Sequence, residues 1–89
     1  MKLVFTECAW TDYLYWQQTD KAVLSRINEI IKDTSRSPFR GIGKPEPLVG
    51  HLKGFWSRRI TKEHRLVYRI SGPPDGQTLE IVACQYHYD

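Results

Sequence analysis

Three side chains from distant parts of the chain have the chemistry needed to cut RNA: the carboxylate of Glu46, the guanidinium of Arg65 and the imidazole of His87. RNA is cut when its own 2′-hydroxyl attacks the adjacent phosphorus. The step needs a base for the 2′ proton, an acid for the leaving 5′ oxygen and cations for the charge of the transition state. A carboxylate, an imidazole and an arginine, whose planar fork grips two phosphoryl oxygens, supply these functions without a metal.

Each of these residues also has a simpler interpretation. Residue type alone favours a solvated loop acid over catalysis for Glu46. Arg65 fits equally well a charge at a strand edge that prevents aggregation, and His87 fits a residue of a frayed tail. The residues by themselves therefore indicate a small basic α+β domain that binds RNA.

The elements that must position these residues follow from hydrophobic spacing and turn residues. Residues 2–5 form a β-prone run, and Thr6 and Asp20 are predicted to cap two successive helices. Three strand candidates follow, at residues 55–60, 65–70 and 79–85. The order β-α-α-β-β-β predicts one α+β domain over residues 1–89, with two helices packed on one face of a small, mostly antiparallel sheet.

The spacing within these elements predicts which side chains face the core. In the first helix, Trp10, Tyr13 and Leu14 share one face and are expected in the core. In the last strand candidate, alternation places Ile81 and Ala83 on the same face.

The face that carries Arg65 is expected to be free of helices and exposed to water. Strand alternation puts Arg65 and Arg69 on one face and Leu66 and Tyr68 on the other, and charged residues beneath a helix layer would be costly. The segment from residue 38 to residue 54, which contains Glu46, is rich in proline and glycine and is predicted to be an ordered functional loop.

Positive charge is concentrated in the middle third of the chain. Residues 36–69 hold nine basic and two acidic residues, whereas the net charge of the whole chain is +3. This distribution favours a nucleic-acid partner over a solvated face that only aids solubility. We predict that four of these residues contact RNA: Lys44, Lys53, Arg58 and Arg59.

Other classes of site are not predicted. Cys8 and Cys84 share no metal-ligand spacing with each other or with the histidines, so they are expected to be reduced thiols, with no metal and no cofactor. No apolar run is long enough to span a bilayer, and the N-terminus does not resemble a signal peptide. The expected location is the cytoplasm.

Four sequence strings resemble the YoeB/Txe family of toxins. They are GKPEPL at residues 43–48, GFWSRRIT at 54–61, EHRLVY at 63–68 and ACQYHY at 83–88. The string DYLYWQ at residues 12–17 agrees as well, so the resemblance covers nearly the whole chain. GFWSRRIT and EHRLVY are long and unusual, which makes the match specific.

The resemblance implies a RelE-like α+β fold and a ribosome-dependent endoribonuclease that cleaves mRNA in the ribosomal A site. It places the general base on Glu46, the general acid on His87 and the phosphate-stabilising arginine on Arg65, with Arg59 and Tyr88 at further active-site positions. The implied partners are mRNA, the ribosome and a YefM-like antitoxin whose flexible C-terminal segment covers the site. A homodimer is a further possible assembly.

One departure from the family concerns phosphate binding. Where related toxins often carry a lysine after the Pro-Leu pair, this chain has Val49, so one phosphate contact is missing unless Lys44 or Lys53 replaces it. Two other functions remain compatible with the residues: a non-catalytic module that blocks the A site, and a structural partner of an antitoxin in DNA-bound autoregulation.

Overall fold

The computed structural model describes residues 1–86. It contains two helices and one five-stranded sheet. The strands are β1 (Lys2–Phe5), β2 (Glu46–Pro47), β3 (Trp56–Arg59), β4 (Arg65–Ser71) and β5 (Thr78–Ala83). The helices are α1 (Glu7–Thr19) and α2 (Lys21–Arg36), and a short 3-10 turn spans Gly50–Leu52. The predicted element order is confirmed, with β2 as an additional strand inside the predicted loop.

The sheet has the strand order β1-β5-β4-β3-β2, and β1 is parallel to β5 while the other pairs are antiparallel. The strand that carries Arg65 is therefore the central one, bonded on both sides. The interpretation of Arg65 as an edge-strand charge is wrong for this reason.

Both helices begin at the predicted caps. Thr6 Oγ1 accepts the Ala9 N–H at 3.1 Å and also donates to the Val82 carbonyl at 2.9 Å, so the start of α1 is tied to β5. Asp20 Oδ1 accepts the N–H groups of Ala22 and Val23, which ends α1 and starts α2 without an intervening loop. Such caps satisfy backbone donors that a helix leaves unpaired at its start.

The core lies between the helices and one face of the sheet. Its fully buried members include Ile27 and Ile30 of α2, Leu66 and Tyr68 of β4, and Ile81 of β5. The faces predicted for β4 are confirmed, because its core residues alternate with Arg65 and Arg69.

The core face predicted for α1 is confirmed for Tyr13, which packs against the core, and wrong for Trp10 and Leu14. Ala9 and Trp16 are buried, whereas Trp10 is 48% exposed and Leu14 is 37% exposed. The buried face of α1 is therefore rotated from the predicted one. Trp10 instead stacks on Tyr13 at the margin of the helix, with ring centroids 5.7 Å apart.

A register shift in β5 overturns a second expectation. Tyr68 pairs with Ile81 and Val67 pairs with Ala83, so Val82 is an extra residue on the β5 side. A bulge of this kind changes the phase of alternation. Ala83 consequently pairs with Val67 and does not share the face of Ile81. Cys84 packs into the core.

Candidate active site

Glu46 and Arg65 meet on the face of the sheet opposite the helices. Glu46 of β2 pairs with Ser57 of β3, and Ser57 pairs with Val67 of β4. Arg65 NH1 lies 3.1 Å from Glu46 Oε1 and donates to Ser57 Oγ at 2.9 Å. The register of three adjacent strands thus brings together two groups that are 19 positions apart in the chain.

The two partners of this ion pair differ in exposure. The Arg65 side chain is only 15% exposed, whereas that of Glu46 is 56% exposed. Ser57, Val67 and Ala83 on the same face are buried. The prediction that this face is exposed to water is therefore wrong at its centre, where Arg65 presents a partly desolvated guanidinium.

The loop before Glu46 is held close to β3. Gly43 accepts the Arg59 N–H through its carbonyl at 2.6 Å, and a Cβ at Gly43 would lie 3.1 Å from the Arg58 Cβ and the Arg59 carbonyl. Lys44 follows with a φ of 52°, a left-handed conformation that is uncommon for a residue with a side chain. The chain therefore approaches Glu46 along a tightly defined path, and the prediction of an ordered loop is supported.

Arg58 does not belong to the RNA-binding set, which corrects the prediction from its charge. Its side chain is fully buried beneath α2 and its NH1 lies 2.8 Å from Asp33 Oδ2. The same guanidinium donates to the Tyr68 hydroxyl and to three carbonyls, those of Ser37, Arg40 and Ile42. Every part of the charged fork is occupied inside the protein, so Arg58 is not accessible to a phosphate.

Asp33 completes this buried network. Its Oδ2 accepts the Ile42 N–H at 3.0 Å as well as the Arg58 donor. These two hydrogen bonds, from the Ile42 backbone first and from Arg58 second, lower the pKa of Asp33 below its usual value. The network fixes the segment from Ser37 to Ile42, which leads directly into the loop that carries Glu46.

The other three residues predicted to contact RNA are exposed. They are Lys44, Lys53 and Arg59. Arg59 is paired in register with Arg65 at the adjoining end of β3, so its charge lies beside the ion pair.

The last described residues are held beside the same strand. Arg65 donates its backbone N–H to the Tyr86 carbonyl at 3.0 Å, and Tyr86 donates its N–H to His64 Nδ1 at 2.8 Å. His87 and Tyr88, predicted as catalytic, lie outside the described residues. The chain is nevertheless fixed next to Arg65 up to the residue that precedes His87.

Within residues 1–86, no three His, Cys, Asp or Glu side chains lie close enough together to hold a metal ion. Neither helix of this part of the chain is both long and apolar enough to cross a membrane.

A model of one protein family matches residues 5–88, and that family is described as the YoeB-like toxin of bacterial type II toxin–antitoxin systems. The chain belongs to this family. Toxin YoeB of Escherichia coli O6:H1 is 61% identical over 88 residues, which are 99% of this chain and 100% of that protein. The resemblance found in the sequence strings is confirmed.

Solved structures of YoeB-type toxins share the fold. A YoeB/ParE toxin from Agrobacterium tumefaciens has a TM-score of 0.95 and 55% identity, covering 99% of this chain and 100% of that one. A YoeB dimer and a heterotetrameric YoeB–YefM complex from Staphylococcus aureus have TM-scores of 0.87 and 0.86, each with 43% identity and coverage of 99% and 98%. The RelE-like α+β fold expected from the resemblance is confirmed.

Two side chains of this YoeB-like toxin were missed as parts of the candidate site. Ser57 receives a hydrogen bond from Arg65, and His64 binds the backbone of Tyr86. Ser57 lies on the Arg59 face by strand alternation, which was a usable signal. His64 lies between β3 and β4, and nothing in its spacing indicates a contact with the C-terminal segment 22 residues away.

Proposed function

We propose that this YoeB-like toxin is an endoribonuclease that cleaves mRNA in the ribosomal A site without a metal. The observation that carries the proposal is the Glu46–Arg65 pair, in which a candidate base and a candidate phosphate ligand lie 3.1 Å apart on the sheet face opposite the helices.

The proposed reaction is an in-line transfer within the RNA. Glu46 takes the proton of the 2′-hydroxyl, and the 2′ oxygen forms a bond to phosphorus. Arg65 binds the phosphoryl oxygens as negative charge develops on them. The bond from phosphorus to the 5′ oxygen breaks, and His87 protonates that oxygen. The products are a 2′,3′-cyclic phosphate and a 5′-hydroxyl.

Substrate binding requires Arg65 to exchange partners. In the free protein its NH1 contacts both Glu46 and Ser57. A phosphoryl group would take over donors of the guanidinium and release the carboxylate for the 2′-hydroxyl. Since Ser57 and its neighbours are buried, Arg65 keeps its orientation during this exchange.

The surrounding charges suit an RNA backbone. Lys44, Lys53 and Arg59 are exposed and are proposed to contact phosphates, and Tyr88 is proposed as a further active-site residue that stacks on a base. Arg58 is excluded from this role by its burial. The ribosome would hold the mRNA in the geometry for in-line attack, which a small domain supplies poorly by itself.

The proposed partners follow from the substrate and from the related complexes. A YefM-like antitoxin is proposed to neutralise the toxin by covering the site, consistent with the YoeB–YefM complex of a relative. A homodimer is proposed by analogy with the related YoeB dimer. The site of action would be the cytoplasm, where ribosomes translate mRNA.

The experiment that tests the function maps the 5′ ends of mRNA in a purified translation reaction. Wild type is compared with Glu46→Ala and His87→Ala, and each has a matched control. Glu63→Ala removes an exposed carboxylate from the β3–β4 turn, and His51→Ala removes an exposed imidazole from the 3-10 turn. We expect new 5′ ends with wild type and both controls, and none with the two active-site variants.

The alternative of a non-catalytic A-site blocker gives a different result. Wild type, Glu46→Ala and His87→Ala would then inhibit translation equally while the mRNA stays intact. A purely structural partner of the antitoxin would inhibit neither translation nor growth. Either result would overturn the proposed function.

A further inference from the structure

The backbone of Tyr86 is held in an unusual conformation by contacts on both of its sides. Its φ is 65°, in the left-handed region that residues with a side chain seldom adopt. His64 Nδ1 accepts the Tyr86 N–H at 2.8 Å, and the Tyr86 carbonyl accepts the Arg65 N–H at 3.0 Å. Such a conformation persists when its surroundings determine it, and it occurs preferentially at functional sites.

The imidazole of His64 is itself held in place. Thr61 Oγ1 accepts the backbone N–H of His64 at 3.1 Å. The ring packs edge-on against Trp16 with centroids 4.8 Å apart, and it contacts the Tyr86 ring at 5.4 Å. Trp16 also donates its indole N–H to the Cys84 carbonyl at 2.8 Å. Helix α1 and the β3–β4 turn therefore clamp the segment from Cys84 to Tyr86 together.

We propose that His64 is a positioning residue for catalysis, which acts by accepting the Tyr86 N–H and so directing the chain at the residue joined to His87. The proposal rests on the proposed function, in which His87 is the general acid. His64 and Arg65 are neighbours in the sequence. Arg65 would thus be the phosphate ligand, and the adjacent His64 would direct the backbone toward the general acid, His87.

This role requires an unprotonated Nδ1. A neutral imidazole that carries its proton on Nε2 can accept at Nδ1, whereas an imidazolium has only donors and would face the Tyr86 N–H with another N–H. Protonation of His64 would therefore remove the acceptor that holds Tyr86.

The charged and titratable groups around His64 come from several elements. Asp12 of α1 interacts electrostatically with His64, and its Oδ2 accepts the Cys84 N–H at 3.0 Å. Burial is the main cause that raises the pKa of Asp12, while the nearby imidazole acts to lower it. Glu63 and Arg65 flank His64 in the chain, and the Tyr86 phenol lies against its ring.

Two substitutions distinguish the role of His64 Nδ1 as a hydrogen-bond acceptor from the packing of the His64 ring. His64→Asn keeps an oxygen acceptor at nearly the same distance from the backbone as Nδ1 and does not titrate. His64→Phe keeps a ring for Trp16 and Tyr86 but has no acceptor. We expect His64→Phe to lower the rate of ribosome-dependent cleavage by about a hundredfold, as a small misplacement of a catalytic group does. His64→Asn should restore most of this loss.

The same assay separates failure of this proposal from failure of the function. If wild type leaves no cut mRNA, the proposed function itself is wrong. If wild type cuts and His64→Phe cuts equally well, or if His64→Asn restores none of the loss, the positioning role is wrong. Binding of the antitoxin by both variants shows that they are folded.

A measurement on the unmodified protein covers the case in which the variants do not fold. The amide signal of Tyr86 in ¹⁵N-labelled wild type is followed by NMR as the pH is lowered. We expect it to shift together with the His64 ring signals. A Tyr86 amide that stays constant while the His64 ring titrates would overturn the proposal.

Discussion

Arg58 and Asp33 face each other between β3 and α2, with NH1 2.8 Å from Oδ2, directly beneath the loop that leads to Glu46. The next residue, Arg59, is exposed on the opposite face of the same strand. Two consecutive arginines in one sequence string thus differ in their surroundings: Arg58 holds the loop from inside, and Arg59 is exposed and is proposed to contact RNA.

The two arginines should differ in their effects on stability and activity. Removing one partner of a buried ion pair leaves the other uncompensated, so Arg58→Met is expected to lower the free energy of unfolding by about 3 kcal/mol or more. Arg59→Met should change it by less than about 0.5 kcal/mol and should instead weaken cleavage. Urea unfolding of both variants checks this. Equal stability of Arg58→Met and wild type would contradict the structural role of the network.

The Asp33 carboxylate gives stability a defined pH dependence. Its pKa is lowered in the folded state, so its contribution is fully present above the unfolded value of about 3.9 and is lost as the pH falls through the folded value. The effect of Asp12 on the pH dependence of stability has the opposite sign, because its pKa is raised in the folded state. The difference in unfolding free energy between wild type and Asp33→Asn should therefore narrow below about pH 4. Urea midpoints measured from neutral to acid pH test this, and a constant difference would count against it.

Arg65 should be needed for the rate of cleavage and less for the fold. Arg65→Ala removes the proposed phosphate ligand and is expected to slow cleavage by about a hundredfold or more. Arg65→Lys should recover only part of the rate, because an ammonium cannot grip two oxygens. The matched control is Arg69→Ala, on the same face of β4 and paired with Glu80 at 2.6 Å. Single-turnover cleavage on programmed ribosomes measures all three, and equal losses for Arg65→Ala and Arg69→Ala would contradict the assignment.

Val49 offers a gain of function. Its side chain is 85% exposed, shortly after Glu46 and Pro47, at the position where related toxins often carry a lysine. Val49→Lys is expected to strengthen binding to programmed ribosomes, and the gain should shrink as salt is raised because the new contact is electrostatic. Gln18→Lys adds the same charge at an exposed position of α1, on the helix side, and serves as control. Equal gains for both variants would show that only net charge matters.

The sequence predicted the elements and their order well because capping and alternation are local. Thr6 and Asp20 cap as expected, and β4 has the predicted faces. Predictions failed where a distant contact decides the outcome. The charge of Arg58 indicated RNA, but its partner Asp33 lies 25 residues earlier in the chain.

The remaining differences also have physical causes. The bulge at Val82 shifts Ala83 to the other face, and no turn residue or glycine signals it. Trp10 was expected in the core because it shares a helix face with Tyr13 and Leu14, yet the buried residues of α1 are Ala9 and Trp16. The ion pair of Glu46 with Arg65 depends on the two-residue strand β2, which is too short for any periodic signal.

In the proposed reaction the 2′-hydroxyl of the RNA is the nucleophile, and Glu46, Arg65 and His87 act on one phosphodiester. The most direct measurement uses purified ribosomes that carry an mRNA with one 2′-deoxynucleotide on the 5′ side of the cleaved bond. A second mRNA carries the deoxynucleotide one position away. We predict that the first stays intact, whereas the second is cut and yields a 2′,3′-cyclic phosphate and a 5′-hydroxyl. Cleavage of the first mRNA at the rate of the unmodified one would contradict the proposed chemistry.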